Sequence, residues 1–195
     1  MEIASSYIES SKKQFLYYKT LAEKAMAQLA PEQLFYMPND DTNSIALIVK
    51  HMVGNMLSRW TDFLTTDGEK EWRNRDDEFQ DPYNDVETMM QEWESAWVVL
   101  FTALDTVTPD NLGSIIYIRN EGHTVIEAIN RQLAHYPYHV GQIVFYAKML
   151  KKTAWQSLSI PKNNSAQYNS QKFAQEKQAR NFTDAEINRL NDLTT

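Results

Sequence analysis

The sequence predicts an all-α protein, a bundle of four helices followed by a polar C-terminal tail. Three observations carry that expectation. Only five glycines and six prolines punctuate 195 residues; β-branched alternation is scarce; and apolar side chains recur at spacings of three and four over long stretches, the repeat of a single helix face. A hydrophobic content of 43% is enough for one core of single-domain size, so residues 1–160 read as the bundle domain and 161–195 as a C-terminal extension.

The first helix is expected from about Ile3 to Ala30, with Phe15, Tyr18, Ala22, Met26 and Leu29 inward and Pro31 at its end. After the turn-forming stretch PEQLFYMPNDDTN, Asn43 or Ser44 caps a second helix that aligns Ile45, Ile48, Val49, Met52, Met56, Trp60 and Phe63, with Gly68 just beyond it. The segment DGEKEWRNRDDEFQDPYND is charged and weakly periodic, and it is long enough to cross the length of a bundle, so the helices flanking it run parallel. Its charge run reads as solvated loop surface. Val86, Met90, Trp93, Trp97, Leu100 and Leu104 form a near-heptad stripe for the third helix, closed by Pro109. The β-branched run in NLGSIIYIRNEGHT predicts a strand or hairpin edge across the end of the bundle. Thr124 and Glu127 match a capping box that opens a fourth helix to about Leu150, with Ile126, Ile129, Leu133, Val140, Val144 and Ala147 inward. Past Trp155 the chain is polar, with one last short helix expected from Asp184 to Leu193.

The formal charge of -7 and a pI near 5.1 argue against nucleic acid, because gripping a polyanion needs a clustered basic face. There is no cysteine, which excludes disulfides, thiolate ligands and a cysteine nucleophile. Any metal must therefore use nitrogen and oxygen. No basic segment with a following apolar run opens the chain, and no apolar run is long enough for a membrane span, so a cytoplasmic location without membrane association is expected.

The chemistry concentrates in HYPYH, residues 135 to 139. On a helix, side chains four apart share a face with β-carbons about 6 Å apart, so His135 and His139 can converge on one ion. The same spacing also suits two partly buried imidazoles bonded to nearby carbonyls. Pro137 cannot donate to the carbonyl of Leu133, which predicts a kinked or loosened turn beside the pair. Gln142 follows on the same stripe, placed to bond a ligand imidazole or a bound water. A third ligand is needed. His123 lies about 18 Å away along a regular helix, whereas His51 sits on the shoulder of the second helix beside Asn55 and is the better candidate. Arg59 and Asn55 are weaker contacts for a cofactor, and Arg59 also suits pairing with Asp62 or Glu69. The zinc-peptidase pattern is absent, because Tyr136 occupies the position of its general-base glutamate. Three neutral imidazoles would leave coordination positions open on an ion such as zinc or nickel, the arrangement of a chemically useful site.

The stretches SIALIVKHMVGNMLSRWTDFLTTDGEKEWRNRDDEF, HTVIEAINRQLAHYPYHVGQIVFYAK and WQSLSIP together resemble the DinB/YfiT-like superfamily, in its branch of unknown function. The likeness covers most of residues 5 to 165. It implies a four-helix bundle of up-down-down-up arrangement and a divalent metal held by His51, His135 and His139. Some members of that superfamily use the metal with low-molecular-weight thiols, as S-transferases or as an isomerase. Two functions follow as expectations: a metal-dependent enzyme that joins such a thiol to an electrophilic small molecule, or a metal-binding or stress-response module without turnover. A homodimer fits either.

Overall fold

The computed structural model describes residues 2–80 and 82–193; residues 1, 81, 194 and 195, which fall within the segments assigned above, lie outside the described ones. The described chain is mostly helical. Four long helices dominate: α1 (Ile3–Met26), α3 (Ile45–Trp60), α4 (Val86–Asp105) and α5 (Val125–Lys151), with short α2 (Pro31–Leu34) between the first two. Contacts run from α1 to α5, α5 to α3, α3 to α4 and α4 back to α1, so the long helices close a ring around one apolar interior. A hairpin of β1 (Ile115–Ile118) and β2 (Glu121–Thr124) joins α4 to α5, and α6 (Ser165–Phe173) and α7 (Phe182–Asn191) complete the chain. No described helix is long and apolar enough to cross a membrane.

Local chemistry explains the helix ends. Ser44 accepts a hydrogen bond from Leu47 N at 3.1 Å and Asp85 from Thr88 N at 2.7 Å, each satisfying an amide that the first turn leaves without a helical partner. Thr124 and Glu127 form the expected capping box. Two helices end earlier than their periodicity predicts. α1 stops at Met26 because Ala30 is already extended, its amide bound by Gln33 at the start of α2. α3 stops at Trp60 because Asp62 turns into the left-handed region at φ 48°, yet Phe63 still reaches the core.

The inward face of α5 differs from expectation. Ile126 is 37% exposed, while Tyr136 is fully buried. Ile129, Val140 and Ala147 are buried as expected and Leu133 and Val144 pack half-buried against the core, but the fully buried line also takes in Val125, Gln132, Tyr136 and Ile143, so its centre lies about one position from the expected one. The helix continues through Pro137 instead of breaking there. In the C-terminal segment, α6 was not expected from its polar sequence; α7 packs on α1, and Leu190 is fully buried in the core.

The charged segment after α3 does not simply span the molecule; it folds back. Gly68 N donates to Tyr117 O at 2.8 Å, and the Asp67 carboxylate accepts from the amides of Arg119 and Asn120, each at 2.8 Å. Those two residues form the hairpin turn and both have positive φ, 55° and 62°. Loop and hairpin thereby become one unit against α3.

In the core, Trp60 Nε1 donates to Tyr136 Oη at 3.1 Å, and that hydroxyl donates to Asn55 Oδ1 at 3.1 Å. Replacing Tyr136 by Phe leaves two buried polar groups without partners at almost unchanged volume. We expect Tyr136→Phe to lower unfolding stability by about 1–3 kcal/mol, read as a lower urea midpoint at unchanged slope.

Candidate metal centre

α3 contributes His51 and α5 contributes His135 and His139, from helices in direct contact. The four-residue spacing brings the two α5 imidazoles to one face, and the shoulder position of His51 turns its ring toward them. His135 Nε2 lies 3.0 Å from His139 Nε2 and 3.4 Å from His51 Nε2. One ligand nitrogen from each ring falls within 4.8 Å of the other two.

The opposite ring nitrogens explain what those contacts mean. His51 Nδ1 meets Glu78 Oε2 at 2.8 Å, His135 Nδ1 meets Gln132 Oε1 at 3.1 Å, and His139 Nδ1 meets Gln142 Oε1 at 2.8 Å. All three partners are acceptors, so each Nδ1 carries the ring hydrogen and each Nε2 presents a bare lone pair. With the rings neutral in that tautomer, three lone pairs converge. Such an arrangement is repulsive alone and favourable around a cation, whose imidazole ligands are oriented by just such outer hydrogen bonds. Nitrogens bound to zinc at about 2.0–2.1 Å stand about 3.4 Å apart in a tetrahedron, close to two of the separations seen. The donor set fits a divalent ion.

Burial favours the neutral form of the two α5 imidazoles. Burial, with smaller contributions from His139, His51 and two arginines, pushes His135 down to about 3. Burial likewise lowers His139, against the hydrogen bond it donates to Gln142. Burial would raise the Glu78 carboxyl, but hydrogen bonds from His51 and Arg73 outweigh it and hold Glu78 below the usual carboxylate range. It stays ionised, gripped by Arg73 through Nε to Oε1 at 2.8 Å and Nη2 to Oε2 at 3.1 Å. Phe79 stacks on His51 with ring centres 4.8 Å apart.

A cavity of about 380 Å³ opens beside the triad, lined in part by all three histidines, Asn55 and Arg59. Asn55 is committed to Tyr136, and Arg59 donates to Gly68 O and to Glu69 Oε2, the latter at 3.0 Å, the pairing with a nearby acid named above. Gln142 reaches the triad through His139. Sequence reasoning missed Glu78, Arg73 and Gln132. Glu78 sits in the charge run read as solvated surface, where no periodicity marks a buried position. Gln132 was legible: it precedes His135 by three residues as Gln142 follows His139 by three, a mirrored spacing around HYPYH.

Residues 2–164 match the model of a family described as "Protein of unknown function (DUF1572)". No curated protein and no solved structure matches the chain.

Gly54 lets the loop reach His51. A Cβ there would stand 2.8 Å from the Glu78 carboxyl carbon, and closer still to one of its oxygens. Alanine is otherwise favoured over glycine in a helix by about 1 kcal/mol, so Gly54→Ala separates the two effects. We expect it to weaken divalent-metal affinity about 10- to 100-fold, measured by competition with a chromophoric chelator, while α-helical content is retained. A second outcome follows from protonation. Between His135's unperturbed value of 6.5 and its folded value of about 3, the unfolded chain binds a proton that the folded chain does not, so stability falls as pH drops through that window. Metal-free protein should therefore lose stability from about pH 7 to about pH 5 more steeply than His135→Gln, compared by urea titrations at each pH.

Proposed function

The chain belongs to the DUF1572 family, of unknown function, and from its triad we propose a divalent-metal-dependent enzyme of the DinB/YfiT-like superfamily, a four-helix bundle of up-down-down-up arrangement. The proposed reaction joins a low-molecular-weight thiol to an electrophilic small molecule. The supporting observation is the convergence of three imidazole Nε2 atoms, each ring fixed from behind by an oxygen at Nδ1.

In this reading His51, His135 and His139 hold the ion, which when bound supplies Lewis acidity that lowers the pKa of a thiol brought beside it. The protein adds no thiol of its own, since the sequence contains no cysteine. Glu78, Gln132 and Gln142 keep the rings in the ligating tautomer, and Arg73 keeps Glu78 ionised and in place. The open cavity beside the rings leaves room for a thiol and its acceptor. The superfamily likeness supports thiol chemistry over peptide hydrolysis, and Tyr136, buried where a peptidase would carry its glutamate base, agrees.

Protein purified without a histidine tag, analysed for its elements and then incubated with divalent ions, low-molecular-weight thiols and a panel of epoxide and haloaromatic electrophiles, tests this reading. Stoichiometric metal and conjugation that disappears in His139→Ala are expected. Metal binding with no conjugation under any pairing would replace the enzyme by a metal-binding module; absence of metal affinity would remove both.

A further inference from the structure

The walls of the triad cavity carry a charge opposite to that of the molecule. The chain has a formal charge of -7, yet Arg59, Arg73, Arg75, Arg119 and Arg131 all line this one cavity, and among the described residues no acidic one does. The sequence has seven arginines and twelve lysines. Five of the seven arginines gather here and none of the lysines does. A guanidinium presents a planar fork of donors that matches a carboxylate or phosphate, whereas an ammonium is a point charge, so this selection is one for oxyanions.

The five are not equivalent. Arg59, Arg73 and Arg119 share Glu69, and Arg73 also holds Glu78. Arg59 is only 6% exposed, and its Nε has no partner. Arg75 and Arg131 form no ion pair among the described residues. Arg75 lies over Phe79 at 5.4 Å, on a ring that itself stacks on His51. Arg131 stands one helical turn before His135 on α5, with only His123 nearby, at 3.5 Å. Five guanidiniums thus outnumber the carboxylates of Glu69, Glu78 and Asp67 that act on them, and a divalent ion on neutral imidazoles would add two further positive charges. Among the described residues, no acid lining the cavity balances them.

We propose that the cavity takes a small molecule bearing a carboxylate or phosphate, held over the triad by the unpaired guanidiniums of Arg75 and Arg131. This rests on the metal reading for the full charge of the site, but the arginine excess exists without the metal. The cavity, at about 380 Å³, has the scale of a metabolite pocket and not of a polymer groove. The anionic group is a handle that orients the molecule while its reactive end lies at the histidines.

Calorimetric titration of the full chain, metal-free and nickel-loaded, with succinate, inorganic phosphate and uncharged succinamide tests this. Succinate or phosphate should bind, the tighter of the two identifying carboxylate or phosphate as the handle, and succinamide should not. Nickel should tighten the anion by about tenfold or more, and by linkage the anion should tighten nickel by the same factor. Arg75→Gln and Arg131→Gln should each weaken the anion by about tenfold or more, with nickel stoichiometry unchanged and with Arg180→Gln, outside the cavity, as a silent control. Circular dichroism of each variant verifies folding. Equal binding of succinamide, unaltered affinity in the Arg75→Gln/Arg131→Gln pair, or no anion binding to nickel-loaded protein would overturn the proposal. Anion binding to a chain that takes up no nickel would instead uphold the anion pocket and dismiss the metal reading.

Discussion

The site depends on three hydrogen bonds that face away from it. An imidazole free to rotate and exchange tautomers has two ways of presenting a nitrogen and no reason to choose one. Oxygens of Glu78, Gln132 and Gln142 remove that freedom by claiming every Nδ1 hydrogen. Two of those oxygens come from the helix that carries the rings they fix. The third must be delivered from elsewhere, and much of the remaining architecture serves that delivery.

Glu78 arrives on a loop with little apolar content, so burial alone could not place it. Polar anchors do so in sequence. Asp67 binds the hairpin turn, Gly68 bonds to β1, Arg59 and Glu69 tie the loop to α3, and Arg73 clamps Glu78 against His51. Gly54 supplies the clearance on α3. A buried ion pair is a poor source of net stability, because desolvation offsets most of the attraction. Here its value is positional: it fixes one carboxylate at one ring nitrogen.

Much of this was legible in the sequence. Helix faces were read from the spacing of Phe15, Met26, Trp93 and Leu100, and helix starts from Ser44 and Thr124, because helical period and capping are local rules. HYPYH and His51 were read as neighbours because shoulder positions on two packed helices converge. What escaped was non-local or aperiodic. Nothing in NRDDEF separates a buried glutamate from its solvated neighbours until the chain folds back. Tyr136 was weighed only as a missing glutamate, although it is a fully buried core residue whose hydroxyl joins two helices. Five arginines spread from position 59 to 131 show no cluster until the fold collects them.

The three supports are of unequal kind. His51 is backed by a full negative charge, whereas His135 and His139 are backed by neutral amides. A carboxylate behind a ligating imidazole strengthens its hold on a cation more than an amide does, so His51 would be the firmest of the three ligands. Departure of such a cation would begin by releasing an α5 ring, with His51 the last tether. Such an order would be set by which residue stands behind each ring, and the rings themselves, chemically identical, would have no say in it.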